Sequence, residues 1–120
     1  MAQNIPPELE KDLRKYENLK RQEEGFSNLV RTYKDQVEQL KETLAQLQKQ
    51  PDDTVTYKAV GQVMFRVEAP AMVKELADQI SELERSIKMA ETKLESLTPD
   101  VAELHSKIQL ELSKRNLRLQ

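Results

Sequence analysis

Two runs of apolar residues at heptad spacing, separated by one short strand-like stretch, constrain this chain more than any other feature of it. In the second run, steps of three and four residues land on Val73, Leu76, Ile80, Leu83, Ile87, Ala90, Leu94, Leu97, Val101, Leu104 and Ile108, and every slot is apolar. The first run lands on Leu9, Asp12, Tyr16, Leu19, Glu23, Phe26, Val30, Tyr33, Val37, Leu40, Leu44 and Leu47, with charge only at Asp12 and Glu23. A strict seven-residue repeat keeps one stripe of a helix facing a partner, so both runs read as seams of a left-handed coiled coil. Glu, Lys, Arg and Gln fill the intervening positions, where they favour helix and stay solvated. A long helix with one apolar stripe must bury that stripe somewhere. The nearest partner for each run is the other, folded back antiparallel.

The punctuation agrees with two helices, over 8–50 and 71–116. "NIPPELEK" puts prolines before or inside a first helical turn, where a missing N–H costs least. Pro51 stops the first run, and "QPDDT" suits a turn. At about 1.5 Å per residue each helix is roughly 60 Å long. If Leu47 lies beside Val73, facing residues have numbers adding to about 120. Gly25 and Pro99 then fall near one height, which reads either as a soft joint or, at Pro99, as a fresh helical turn capped by Thr98. Beyond Ile108 the phase slips: Glu111, Arg115 and Arg118 fall on the old seam, while Leu110, Leu112, Leu117 and Leu119 lie off it.

Between the runs stands "VTYKAVGQVMFRVEAP", Val55 to Pro70, β-branched and short of charge. Its alternation predicts one β-hairpin over 54–68, with Gly61 supplying the turn. Val55, Tyr57, Val63, Phe65 and Val67 are expected on one apolar face, with Lys58, Gln62, Met64 and Arg66 on the other. A lone two-stranded hairpin is marginal in water and leaves two unpaired edges. Several copies joining their edges into a closed sheet would remove both problems. The fold class is thus mostly α: a long antiparallel two-helix coiled coil with a single central β-hairpin, in one domain over 1–120, the hairpins assembling into an oligomeric β-barrel body.

Composition narrows the chemistry. Charged residues make up 33% and aromatics 4% of the 120 residues, a balance suited to narrow stripes rather than a ball-shaped core. A net charge of −2 gives no electrostatic reason to bind nucleic acid or an acidic membrane. Without cysteine, disulfides and thiolate metal sites are excluded. The sequence has no phosphate-cradling glycine loop, its carboxylates are spread around solvated helix positions, and its one histidine, His105, flanks a seam residue. No catalytic, cofactor-binding or metal site is expected. The opening "MAQNIPPELEK" lacks the basic and apolar regions of a signal peptide, so the expected location is cytoplasmic.

The order helix, single hairpin, helix, with "PDDTVTYKAVGQVMFRV" in the middle and heptads on both sides, resembles the β-type subunits of prefoldin. The "QNIPPELE" opening is most similar to archaeal ones. The resemblance covers nearly the whole chain; α-type subunits carry two hairpins, and there is room here for one. It implies a hexamer of two α-type and four β-type subunits, with a double β-barrel body and six hanging arms. Their tips hold unfolded proteins without ATP and pass them to a group II chaperonin. It assigns oligomerisation to Val55, Tyr57, Val63, Phe65 and Val67, and client binding to the arm tips, at Ile5, Leu9, Leu13, Leu110, Leu112, Leu117 and Leu119. Several of these tip leucines lie off the seam and should be partly exposed, as interaction surfaces are. The competing reading is a structural coiled-coil scaffold or adaptor tethered through its hairpin.

Overall fold

The computed structural model describes residues 5–115. Four elements follow in order: helix α1 (Pro7–Gln48), strand β1 (Val55–Val60), strand β2 (Val63–Glu68) and helix α2 (Ala69–Lys114). The chain divides into two compact units. One joins α1 up to Leu29 with α2 from Ala90 onward; the other runs from Val30 to Met89 and contains the hairpin.

The helix ends follow from local chemistry. Pro7 is the first helical residue of α1, where its absent N–H is not missed, and the Pro6 carbonyl accepts the Glu10 N–H at 3.0 Å. At the other end the Gln50 N–H reaches the Leu47 carbonyl at 3.0 Å, tightening the last turn. A turn closed by the Thr54 N–H on the Pro51 carbonyl, also 3.0 Å, then leads into β1. Helix α2 begins at Ala69, two residues before the expected start, because Pro70 fits its first turn as readily as it would a boundary.

The heptad stripe is the core. From Leu9 to Leu47, all twelve first-run seam residues are buried or half-buried, and Leu13 is the one further position that is not exposed. Every second-run seam residue from Val73 to Ile108 is likewise shielded. Within the unit holding the helix ends, Asp12 meets Lys107 and the Tyr16 ring lies against His105 at a tilt of 41°, pairs whose numbers add to about 120 as the antiparallel register requires. In the other unit Leu47, Met72 and Leu76 line one notch, in keeping with the same register.

Helix α2 runs unbroken through Pro99, with Leu97 and Val101 both buried on either side of it. Pro99 therefore opens no separate helix. The lost backbone bond is tolerated because the seam keeps its phase across it.

Past Ile108 the structure departs from the strict repeat. Leu112 is 5% exposed, buried with Leu104 and Ile108, while Glu111 is only half-buried. The seam takes two successive four-residue steps, Leu104 to Ile108 to Leu112. Such a stutter relaxes the supercoil locally, and it puts a leucine rather than a carboxylate inside. The expectation that Leu112 lies off the seam is corrected accordingly.

Gly25 sits inside α1, and a Cβ built there meets nothing within 4 Å. Gly25→Ala should raise stability by about 0.5–1 kcal/mol, since alanine loses less backbone entropy in a helix. Urea unfolding followed by circular dichroism measures this; a destabilised variant would show that the helix needs glycine there for another reason.

Candidate functional site

The hairpin is built on an antiparallel register that pairs Val55 with Glu68, Tyr57 with Arg66, Lys58 with Phe65 and Val60 with Val63. Gly61 and Gln62 form the two-residue turn. Gly61 has φ 61°, the left-handed value that the first central position of such hairpin turns demands.

This register corrects the expected apolar face. Directly opposed residues share a face, and a two-residue turn pairs odd positions of β1 with even positions of β2. Val55, Tyr57 and Ala59 therefore share a face with Met64, Arg66 and Glu68. Val63, Phe65 and Val67 lie on the opposite face, with Thr56, Lys58 and Val60. The five residues expected together are split two and three between the faces.

Three hairpin residues of the second face are half-buried: Thr56, Lys58 and Val67. The Thr56 hydroxyl donates to the Val67 carbonyl, and the Lys58 ammonium pairs with the Glu75 carboxylate on α2. The rest of both strands is open. Val55, Tyr57, Val60, Val63, Met64 and Phe65 are each about half exposed or more, with Tyr57 at 57% and Met64 at 62%. Six of the ten exposed large apolar side chains among the described residues thus stand on twelve strand residues. A concentration of this kind marks a surface that something else covers. Val60 and Met64 were not among the expected assembly residues. The parity of the "VGQV" turn is the signal that places them: with Val60 opposite Val63, neither strand has a purely polar side.

The helix ends form the second candidate surface. Leu9, Leu104, Ile108 and Leu112 make a buried cluster, with Leu13, Tyr16 and Leu19 packed against it. Leu9 is 3% and Ile108 1% exposed, so these side chains hold the helices together. Ile5 and Leu110 are the expected tip residues that stand open to solvent, at 42% and 57%. Leu117 and Leu119 lie outside the described residues. The cluster is flanked by the Lys107–Asp12 ion pair at 3.1 Å. A hydrogen bond from Lys107 to the Asp12 carboxylate, with its negative charge, holds the ammonium charged above its ordinary value of 10.5. Because the folded value is the higher one, this pair stabilises fully below about pH 10.5, and its contribution fades as pH rises through the raised value.

Among the described residues no group of His, Asp and Glu could hold a metal ion, and no helix is long and apolar enough to cross a membrane. Concave surfaces at the helix ends are open and lined by charged side chains such as Lys11, Asp12, Lys15 and Lys107.

Comparison with known proteins fits this architecture. The family profile described as prefoldin subunit matches residues 10–115. The prefoldin subunit beta of Thermococcus gammatolerans is 30% identical over 110 residues, spanning 92% of this chain and 94% of its own. That of Sulfolobus acidocaldarius is 32% identical over 117 residues, with coverage of 95% and 91%. The crystal structure of the prefoldin beta subunit from Thermococcus strain KS-1 superposes with a TM-score of 0.77 at 28% identity, covering 92% of this chain and 97% of that one. Two seamed helices joined by one short hairpin, and likeness at this level over nearly its full length, establish that this chain belongs to the prefoldin subunit family, as a β-type member.

Proposed function

We propose that this chain is a subunit of an ATP-independent holdase chaperone. Its hairpins join those of an α-type subunit in a β-barrel body, as an α2β4 hexamer in the cytoplasm. Its helix pairs project as arms whose tips capture unfolded proteins and pass them to a group II chaperonin. The observation that carries this reading is the contrast between the two parts of the chain. The helices bury their own stripe, whereas the hairpin leaves apolar side chains open on both faces and two unpaired edges. Only additional strands and additional apolar cover satisfy such a hairpin. Linking several weakly binding tips through one body raises the effective concentration at a client, so each contact can stay weak and releasable.

Ile5 and Leu110 are the described residues that carry client contact in this reading, with Leu117 and Leu119 beyond them. Leu9, Leu13 and Leu112 contribute when the last turns of the arm open, since frayed, adaptable surfaces suit unrelated partners. The burial of Leu9 and Leu112 favours one rival, a scaffold that uses its hairpin to gather subunits and its arms as spacers.

Aggregation of chemically denatured citrate synthase separates the two. With an α-type partner and no nucleotide, the assembly should suppress light scattering at near-stoichiometric amounts. Changing Ile5→Asn together with Leu110→Asn should weaken that suppression several-fold while leaving the assembled mass unchanged. A wild-type assembly that suppresses nothing would favour the scaffold. Full suppression by the double variant would move the client surface away from these two residues.

A further inference from the structure

Among the hairpin's interactions, one cross-element contact has no counterpart elsewhere on it: Lys58 of β1 reaches Glu75 in the second turn of α2. We propose that this pair is a positioning device, fixing the angle at which the hairpin leaves the helices and thereby making its edges available to other copies. The inference rests on the reading of the hairpin as the assembly module.

Three observations carry it. First, the pair bridges an otherwise open place. Leu47, Met72 and Leu76 from the helices and Thr56 and Tyr57 from β1 line a notch of about 390 Å³ beneath the hairpin, so packing alone does not hold the strands to the helices there. Second, both partners are partly shielded, with side chains 43% and 29% exposed, unlike the freely solvated Arg21–Glu17 pair at 76% and 66%. A shielded pair loses less to solvent screening. Third, burial on the hairpin is confined to Thr56, Lys58 and Val67, which lie together on the helix-facing side. Thr56 ties β1 to the Val67 carbonyl on β2, so both strands move with Lys58. The covalent joints to the helices set the hairpin's position, and this lateral tether sets its tilt. A hairpin free to swing would lose entropy each time its edge was captured by another copy, which preorganisation avoids.

Charge reversal tests the assignment. Lys58→Glu and Glu75→Lys each place like charges in contact, and each should raise the protein concentration needed for half-assembly with an α-type partner by about tenfold or more. The double variant Lys58→Glu/Glu75→Lys rebuilds the pair in reverse and should restore assembly to near the wild-type concentration, read by mass photometry and native mass spectrometry. Because the chain has no cysteine, nitroxides at Gln62→Cys and Glu82→Cys report the hairpin's tilt within one chain, diluted among unlabelled copies. Their distance distribution should broaden in each single variant and narrow again in the double one.

Single variants that assemble like wild type, or a double variant that stays defective, would overturn the proposal. So would an unchanged distance distribution. If the wild-type chain assembles with no partner at any concentration, the assembly reading itself fails. The label distances would then still decide whether the pair holds the hairpin.

Discussion

Phe65→Asp should release single chains from the assembly while leaving helical circular dichroism close to that of the unaltered protein. The phenylalanine is 53% exposed in the single chain and lies opposite Lys58. In the single chain an aspartate there stays open to water beside Lys58, which keeps Glu75 as its partner, so the hairpin by itself tolerates the change. What it cannot tolerate is cover by the apolar strands of other copies, because a carboxylate taken out of water costs several kcal/mol. That cost recurs in each copy around a closed sheet, so the assembly should fail as a unit. Mass photometry over a dilution series reads the outcome. An oligomer of unchanged mass would show that the face bearing Val60, Val63 and Phe65 is not the one covered. Met64→Asp, on the opposite face beside Ala59, would then be the variant to dissolve it.

The second large effect belongs to the helix ends. Ile108 is the most completely buried large side chain among the described residues and sits between Leu104, Leu112 and Leu9. Ile108→Ala should destabilise the protein by about 2–4 kcal/mol, from lost transfer energy and the cavity that two short helix turns cannot close. Hydrogen exchange should show the loss first in the amides around Leu9–Leu19 and Val101–Leu112, since local opening follows the buried contacts of its own unit. Leu110→Ala provides the contrast. Two residues away but 57% exposed, it should change stability by no more than about 0.5 kcal/mol. Equal losses from both substitutions would mean that the stutter onto Leu112 is not how the seam ends.

These two experiments also separate assembly from arm stability. A hairpin variant should lose mass but keep its unfolding midpoint for the helices, whereas an Ile108 variant should do the reverse. If the chain acts as the proposed holdase, capture of unfolded protein should suffer in both cases, through lost multivalency in the first and through a disordered tip in the second.

Much of this molecule was legible in its residues taken one after another. The period of 3.5 identified both helices, and every position of the seam it marked, from Leu9 to Leu47 and from Val73 to Ile108, is shielded. Periodicity succeeds here because a single stripe is the only burial a two-helix arm offers, so pattern and burial are the same information. The hairpin and its Gly61 turn were equally plain, since a glycine between two β-branched runs of equal length leaves few alternatives.

Pairing across elements was where the sequence stopped. Whether Val55 shares a face with Val63 or with Met64 depends on one residue of turn length, because the side-chain period of a strand is two and any odd shift exchanges the faces. Whether the second helix ends its seam at Glu111 or at Leu112 depended on what the facing helix offered, and Leu9 with Leu13 drew the leucine inward. The contact of Lys58 with Glu75 has no sequence signal at all, seventeen residues apart and in different elements. Order along the chain determined the elements and the apolar stripe they carry, since those obey local periods. Register, the seam's last step and the hairpin's tether were settled only in three dimensions, where a side chain's neighbour is chosen by packing rather than by distance along the backbone.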